Sequence, residues 1–195
     1  GAAPDGVAGV GEALMDRIIL DLCAGTGAWS RPYAEAGYDV RLITLPEYDV
    51  HTYQPPNRVH GILAAPPCTH FSLARQRAKT PRDLARSMEI VVACLRIVWQ
   101  CRLAGDLQWW ALENPVGYLR QFLGIPRFTF KPSQFGDPLN KRTDLWGYFH
   151  QPKQLKIPVN APKGLRGASA AYPHDPVKRA ITPPCFAQAF FKANL

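Results

Sequence analysis

A cysteine that follows two prolines is the residue of this sequence best suited to covalent chemistry. Cys68 lies in the run Pro66–Ser72 (PPCTHFS), directly after the apolar run 59–65. That apolar run predicts a buried parallel strand, and the carboxyl ends of such strands are where α/β sheets bind ligands. Two prolines restrict the backbone before Cys68, which suits a nucleophile that must be aimed. The alternative is a cysteine buried in a tight turn, the commoner environment of this residue.

A carboxylate and an amide occur in the corresponding place after the next predicted strand. Glu113 and Asn114 follow the apolar run 109–112. Because the carboxyl ends of parallel strands meet at one edge of a sheet, this carboxylate is predicted to lie near the thiol of Cys68. A thiol and a carboxyl group at one site allow nucleophilic attack together with proton transfer.

A glycine-containing turn follows the first predicted strand. The segment Asp21–Ser30 (DLCAGTGAWS) ends the apolar run 17–23 and begins a helix. Gly25 and Gly27 remove side chains where a ligand would press on the backbone, so the turn favours a nucleotide-like ligand, although such turns also serve packing. Glu47 follows Gly27 at about the distance in sequence expected of an acid that binds the ribose hydroxyls. An exposed acid in a loop is an equally good interpretation of Glu47. Asp49 is a second candidate, placed to accept a hydrogen bond from an adenine amino group.

The elements that must position these residues alternate between strand and helix. The predicted strands cover 17–23, 39–44, 59–65, 109–112 and 143–149, and the predicted helices cover 30–36, 82–104 and a last one with Thr182 as its N-cap. Apolar side chains of the long helix recur in steps of four and three, which places them on one face: Leu84, Met88, Val91, Leu95 and Val98. The alternation predicts an α/β fold, a doubly wound sheet in a single domain over residues 1–195.

The composition favours a polyanionic partner. Lysine and arginine number 23 against 15 acids, a net charge of +8. A cluster of basic residues follows Cys68: Arg75, Arg77, Lys79, Arg82 and Arg86. The cluster is expected to contact phosphates, and the alternative interpretation is the solvated start of a helix.

No CxxC pair or histidine spacing indicates a metal. No apolar run has membrane length and no signal-peptide pattern is present, so we expect a cytoplasmic protein without a membrane partner.

Together the three strand-end motifs resemble the DNA cytosine-5 methyltransferase family. They occur in the family's order: Asp21-x-Cys23-Ala24-Gly25-x-Gly27, Pro67-Cys68-x-x-Phe71-Ser72, and Glu113-Asn114. Two later segments are weaker matches. Gln134-Phe135-Gly136 with Lys141-Arg142-Thr143 resembles the family's basic motif, and Arg179–Thr182 with a Phe-rich helix resembles its C-terminal motif. The likeness covers about residues 17–150 and 179–191.

The resemblance implies a Rossmann-like S-adenosylmethionine-dependent methyltransferase fold that alkylates carbon 5 of cytosine in DNA. Cys68 would add to carbon 6 while Glu113 protonates ring nitrogen 3, and Asn114 would orient the glutamate loop. The target cytosine would be flipped out of the DNA stack. The implied donor-binding residues are Asp21, Cys23, Ala24, Gly25, Thr26, Gly27, Trp29, Glu47, Asp49 and Pro66. The implied nucleic-acid-binding residues are Ser72, Arg75, Arg77, Lys79, Lys141, Arg142 and Thr143.

The match fails where the family has its target-recognition region. The segment 147–178 is short and rich in proline, lysine and glycine, so it predicts a minimal, irregular recognition segment. A short phage or bacterial member, acting in a bacterial or phage-infected cell, would fit this pattern, and a specificity partner stays unknown. Thr143 also replaces an arginine of the family's basic motif. Three alternatives remain open: a modified sulfonium donor that delivers a larger group, single-stranded nucleic acid or a free cytosine nucleotide as substrate, and a non-catalytic nucleic-acid-binding module.

Overall fold

The described part of the chain, residues 16–159, 178 and 180–195 of a computed structural model, forms one six-stranded mixed sheet with helices on both faces. In chain order its elements are β1 (Ile18–Leu22), α1 (Arg31–Glu35), β2 (Asp39–Ile43), β3 (Val59–Ala64), α2 (Leu84–Ala104), β4 (Trp109–Pro115), α3 (Arg120–Leu123), β5 (Phe128–Phe130), β6 (Thr143–Tyr148) and α4 (Pro184–Ala193). Short 3₁₀ helices lie at Leu73–Arg77 and Pro132–Gln134. No helix among these residues is long and apolar enough to cross a membrane.

The strand order creates a crevice beside the first strand. The order across the sheet is β2-β1-β3-β4-β6-β5, with the first four strands parallel and β6 antiparallel to both of its neighbours. The chain passes from β1 to β2 on one side and then crosses to form β3 on the other side. A reversal of this kind leaves a crevice at the carboxyl ends of β1 and β3, where α/β sheets bind ligands.

The sheet contributes side chains to two separate cores, because successive residues of a strand point to opposite faces. Leu20 and Ile62 pack in the core that α2 covers. Ile19 and Leu63 pack in the core that α1 and α4 cover. The second core is mainly aromatic, and its rings include Trp29, Tyr33, Trp109, Phe130, Phe135, Phe186 and Phe190. Both faces of the sheet are therefore buried, which holds the strand ends of the crevice in fixed positions.

The predicted α/β class, the strands and the long helix are confirmed, with shifts at their ends. The largest shift is in β4, which continues through Glu113 and Asn114 to Pro115 because these residues pair with Leu145, Asp144 and Thr143 of β6. The apolar run stops at residue 112, so hydrophobic pattern alone ends the strand too early. The short elements β5 and α3 were not predicted, since three or four residues show no period.

The prediction that Thr182 caps the last helix is wrong by one residue. Pro183 is the residue before α4, and its extended backbone has a ψ of 132°. The first amide groups of α4 donate to a distant acid instead, since Cys185 N and Phe186 N lie 3.3 and 3.2 Å from the carboxylate of Asp137. A cap supplied by another segment satisfies the helix start without a local polar residue.

Candidate active site

The carboxyl ends of β1, β3 and β4 enclose a cleft of about 130 Å³. Cys68 and Glu113, predicted from separate segments, both line it. Most of the predicted donor residues line it too: Asp21, Cys23, Ala24, Gly25, Thr26, Trp29 and Pro66. The structure therefore brings the thiol, the carboxyl group and the glycine-containing turn to one cavity at the sheet edge.

A second cavity of about 480 Å³ adjoins the cleft and shares Cys23, Gly25 and Pro67 with it. It extends to the exit of β2, where Asp49 lines it, and to the first turns of α2. Its volume falls in the range of small-molecule sites, which the cleft alone does not reach. Glu47 is exposed and is not among the residues that line either cavity, so its assignment to a ribose stays a prediction.

The two glycines of the turn have different surroundings. Both have positive φ angles, 55° at Gly25 and 67° at Gly27, which glycine adopts without strain. No atom of the described residues, apart from the chain neighbours, lies within 4 Å of the position of a Cβ at residue 25, whereas a Cβ at residue 27 would lie 3.0 Å from the side chain of Leu42. Gly25 thus leaves room on the cavity side. Gly27 is buried, and its lack of a side chain leaves room for Leu42, while its assignment to the donor stays a prediction.

The turn that carries Cys68 is fixed from both sides. Its own backbone closes it, since the amides of Phe71 and Ser72 donate to the carbonyl of Cys68 over 3.1 and 2.9 Å. The side-chain amide of Asn114 donates to the carbonyl of Pro66 over 3.0 Å. Asn114, predicted to orient the glutamate loop, therefore joins β4 to the cysteine turn. The thiol of Cys68 is half-buried at the cleft.

The residues that follow β4 contact the segment that follows the cysteine turn. Ser72 forms a β-bridge with Gly117, and the amide of Tyr118 donates to the carbonyl of Phe71 over 2.9 Å. A Cβ at residue 117 would lie 2.2 Å from that carbonyl oxygen, so only glycine allows this approach. Phe71 is fully buried beneath the turn. The positions of Cys68 and Glu113 are thus set by backbone contacts between the two segments that carry them.

The carboxyl group of Glu113 lies in an environment that favours its neutral form. Burial raises the pKa of Glu113 most, the nearby cation of Lys141 lowers it, and the charge of Asp144 raises it. The Nζ atom of Lys141 lies 4.0 Å from Oε1 of Glu113. A carboxyl group with a raised pKa keeps its proton closer to neutral pH, as a general acid requires.

The predicted nucleic-acid-binding residues beside the cysteine turn differ in whether their side chains are bound within the loop or exposed. The guanidinium of Arg75 donates to Thr80 and to the carbonyl of Pro81, so it closes the loop 73–81 on itself. The hydroxyl of Ser72 accepts from the amide of Ala74 over 3.2 Å and caps the 3₁₀ helix. Lys79 is exposed, and the side chain of Arg77 lies outside the described residues. Lys79 is therefore the described loop cation best placed for a phosphate.

The other predicted contacts lie at the start of β6. Lys141 lines the cleft, whereas Arg142 is exposed. Thr143 is buried, and its hydroxyl donates to the carbonyl of Lys141 over 3.1 Å. Of the predicted recognition segment 147–178, residues 160–177 lie outside the described residues.

Sequence reasoning did not include the wall of the cleft that precedes α4. Ala180, Ile181 and Thr182 line the cleft together with the residues at the strand ends. The available signal was the weak similarity of Arg179–Thr182 to a family motif, and Arg179 itself lies outside the described residues. The segment before α4 thus contributes to the site as well as to the fold.

In comparisons with known proteins, the chain matches no family model, and no curated protein is significantly similar to it.

Proposed function

We propose that this protein transfers a methyl group from S-adenosylmethionine to carbon 5 of cytosine in DNA through a covalent adduct with Cys68. The observation that carries the proposal is that Cys68, Glu113 and the glycine-containing turn line one cleft, although they come from three separate strands. The reversal of strand order beside β1 supports a Rossmann-like methyltransferase fold, since doubly wound sheets bind nucleotide-type ligands at that point.

The residues of the two adjoining cavities fit a sulfonium donor. The larger cavity joins apolar and aromatic side chains, among them Ile43 and Tyr48, to the carboxylate of Asp49, which suits an adenosine group. The cleft beside Cys68 and Glu113 suits the reacting end. Gly25 belongs to both cavities and offers open backbone between them. When bound, the donor supplies an electrophilic methyl group.

The chemistry follows from the weak nucleophilicity of cytosine carbon 5. The thiolate of Cys68 adds to carbon 6, and the electron pair displaced from the ring double bond is stabilised when Glu113 protonates nitrogen 3. Carbon 5 then has enamine character and takes the methyl group. Loss of the proton on carbon 5 to solvent restores the double bond and expels the thiolate, and nitrogen 3 returns its proton to Glu113. A base must leave the helical stack before it can enter such a cleft.

Mass spectrometry of nucleosides tests this function. The purified chain is incubated with the donor and, in separate reactions, with duplex DNA, single-stranded DNA and deoxycytidine monophosphate. We expect 5-methyldeoxycytidine from the DNA reactions. Product from the free nucleotide alone would support the nucleotide alternative, and a larger mass increment with a modified donor would support transfer of another group. Folded protein that modifies none of the three substrates and forms no adduct with 5-fluorocytosine DNA would contradict the proposal.

Removal of the positive charges of loop 73–81 is expected to weaken DNA binding and to reduce the salt dependence of the affinity. Each lost phosphate contact lowers the slope of log affinity against log salt by about 0.9 on duplex DNA. Replacing Arg75, Arg77 and Lys79 together by glutamine removes the charge but also the hydrogen bonds that close loop 73–81. Lys79→Gln alone is therefore the cleaner test, and Lys192→Gln, an exposed lysine at the far end of α4, is its control. An identical slope for the parent and Lys79→Gln would mean that this lysine is only solvated.

A further inference from the structure

One buried carboxylate of the described residues has no positive partner. Asp21, Asp137 and Asp144 are each more than nine-tenths buried. The guanidinium of Arg120 donates to both oxygens of Asp144 over 2.6 Å, and Asp137 accepts from two amides at the positive end of α4. Among the described ion pairs none includes Asp21. Within the described part of the chain, Asp21 accepts only from Ser30, at the start of the short helix α1, so its charge is the least compensated of the three.

The partners of Asp21 are neutral. The hydroxyl of Ser30 donates to Oδ2 of Asp21 over 2.6 Å, and the backbone of Ser30 donates as well. Among the described residues, the titratable or charged groups that face the same cleft are Cys23, Cys68, Glu113 and Lys141, and the amine of Lys141 lies beside Glu113. A buried carboxylate in such surroundings requires either a proton or a cation that the described residues do not supply.

The proton is held weakly enough to be exchanged for a cation near neutral pH. Burial raises the pKa of Asp21 from its ordinary value of 3.8 to about 7, although the hydrogen bonds from Ser30 lower it. A cation that enters the cleft can therefore replace the proton at little cost.

We propose that Asp21 is the counterion by which the cleft distinguishes the sulfonium donor from the thioether product. This inference rests on the proposed function, which supplies the donor. In the transfer, the carbon–sulfur bond to the methyl group breaks and its electron pair stays on sulfur, while carbon 5 of the adduct supplies the pair for the new carbon–carbon bond. The sulfonium thereby loses its positive charge, and the carboxylate of Asp21 takes a proton from solvent. The product is then held without the ionic attraction that favoured the donor.

The expected signature is a pH dependence of donor affinity that product affinity lacks. Binding of the donor requires ionised Asp21, so donor affinity falls as pH decreases through 7, by about tenfold between pH 8 and pH 6 for a group with this pKa. The product binds equally well or better when Asp21 is neutral. The ratio of donor to product affinity should therefore rise with pH.

Isothermal titration calorimetry of the purified chain with S-adenosylmethionine and with S-adenosylhomocysteine, at pH 6, 7 and 8, tests this. For Asp21→Asn we expect the pH dependence of donor affinity to disappear and donor affinity at pH 8 to fall at least tenfold, with product affinity within about twofold of the parent. Glu35→Gln, which removes an exposed acid at the end of α1, should behave as the parent. In Ser30→Ala, which removes a hydrogen bond that lowers the pKa of Asp21, the fall in donor affinity should begin at a higher pH.

Thermal unfolding without ligand confirms that the variant folds and measures the same carboxyl group independently. Between about pH 4 and pH 7 the folded parent keeps a proton that the unfolded chain has lost, so its stability decreases as pH rises. Asp21→Asn should show a smaller decrease, because only the contribution of Glu113 remains, and should melt higher than the parent at pH 8.

Several results would overturn the inference. Equal losses of donor and product affinity in Asp21→Asn would show that Asp21 contacts a group common to both compounds. An unchanged donor affinity, or a parent without pH dependence, would exclude a counterion. A parent that binds neither compound would contradict the proposed donor site itself, and that failure is seen before any variant is made.

Discussion

Replacement of Cys68 by serine is expected to reduce methyl transfer by about a thousandfold or more, on the order of 4 kcal/mol of activation free energy. A serine hydroxyl is a far poorer nucleophile than a thiolate, and the adduct at carbon 6 is required before carbon 5 can react. The turn itself should persist, because its hydrogen bonds join backbone groups of residues 68, 71 and 72. The glycine-containing turn is a separate segment, so donor affinity should stay within about twofold.

Incorporation of labelled methyl groups into DNA measures this effect, and calorimetry of donor binding shows that the site is intact. The matched control is Cys185→Ser, which changes an exposed thiol outside the cleft and should retain full turnover. The parent should also form a stable adduct with 5-fluorocytosine DNA that Cys68→Ser does not form. Turnover of Cys68→Ser within about tenfold of the parent, a loss below about 1.4 kcal/mol, would rule out a nucleophilic role.

Glu113→Gln should lower kcat by about a hundredfold to ten-thousandfold, the usual contribution of a positioned general acid. Glutamine can still accept a hydrogen bond but has no proton to give to ring nitrogen 3. Because burial raises the pKa of Glu113, its ionised form destabilises the fold, and this cost grows as pH rises through the raised pKa. The amide variant should therefore be at least as stable as the parent at pH 8, and its loss of rate cannot be due to unfolding.

The pH profile of kcat identifies the acid more specifically. In the parent, the rate should fall on the alkaline side as Glu113 loses its proton. Lys141 lowers the pKa of Glu113, so Lys141→Gln should move that fall to higher pH. Glu113→Gln should abolish it. An alkaline fall that is identical in the parent, Lys141→Gln and Glu113→Gln would assign the titration to another group.

The position of the candidate site could be predicted from the sequence because it depends on strand ends. Cys68 and Glu113 each follow an apolar run, and the carboxyl ends of neighbouring parallel strands lie at one edge whatever the loops do. The order of β1, β3 and β4 in the sheet then brings both residues to the turn that contains Gly25. Local patterns are sufficient for this level of the structure.

The long-range contacts that hold the site and the last helix could not be predicted, because the two residues of each contact lie far apart in the chain. The amide of Asn114 joins the carbonyl of Pro66, and the carboxylate of Asp137 caps α4. No local pattern indicates either contact. Gly27 illustrates the same limit, since its spacing resembles that of a ligand-binding glycine while its surroundings are the side chain of Leu42. Spacing in a sequence does not show which side chain will lie against a glycine.

The contacts that attach loop 73–81 separate it from the segment that carries Cys68. Both ends of the loop are held at one place, since Ser72 pairs with Gly117, and the amide of Asp83 donates to the ring of His70 over 2.8 Å. Arg75 ties the loop internally to Thr80, so it would move as one piece about adjacent ends. Cys68 lies before this pivot and is joined to β4 through Asn114. Under the proposed function, we expect a base to enter and leave by a movement of this loop, with Cys68 and Glu113 held in place.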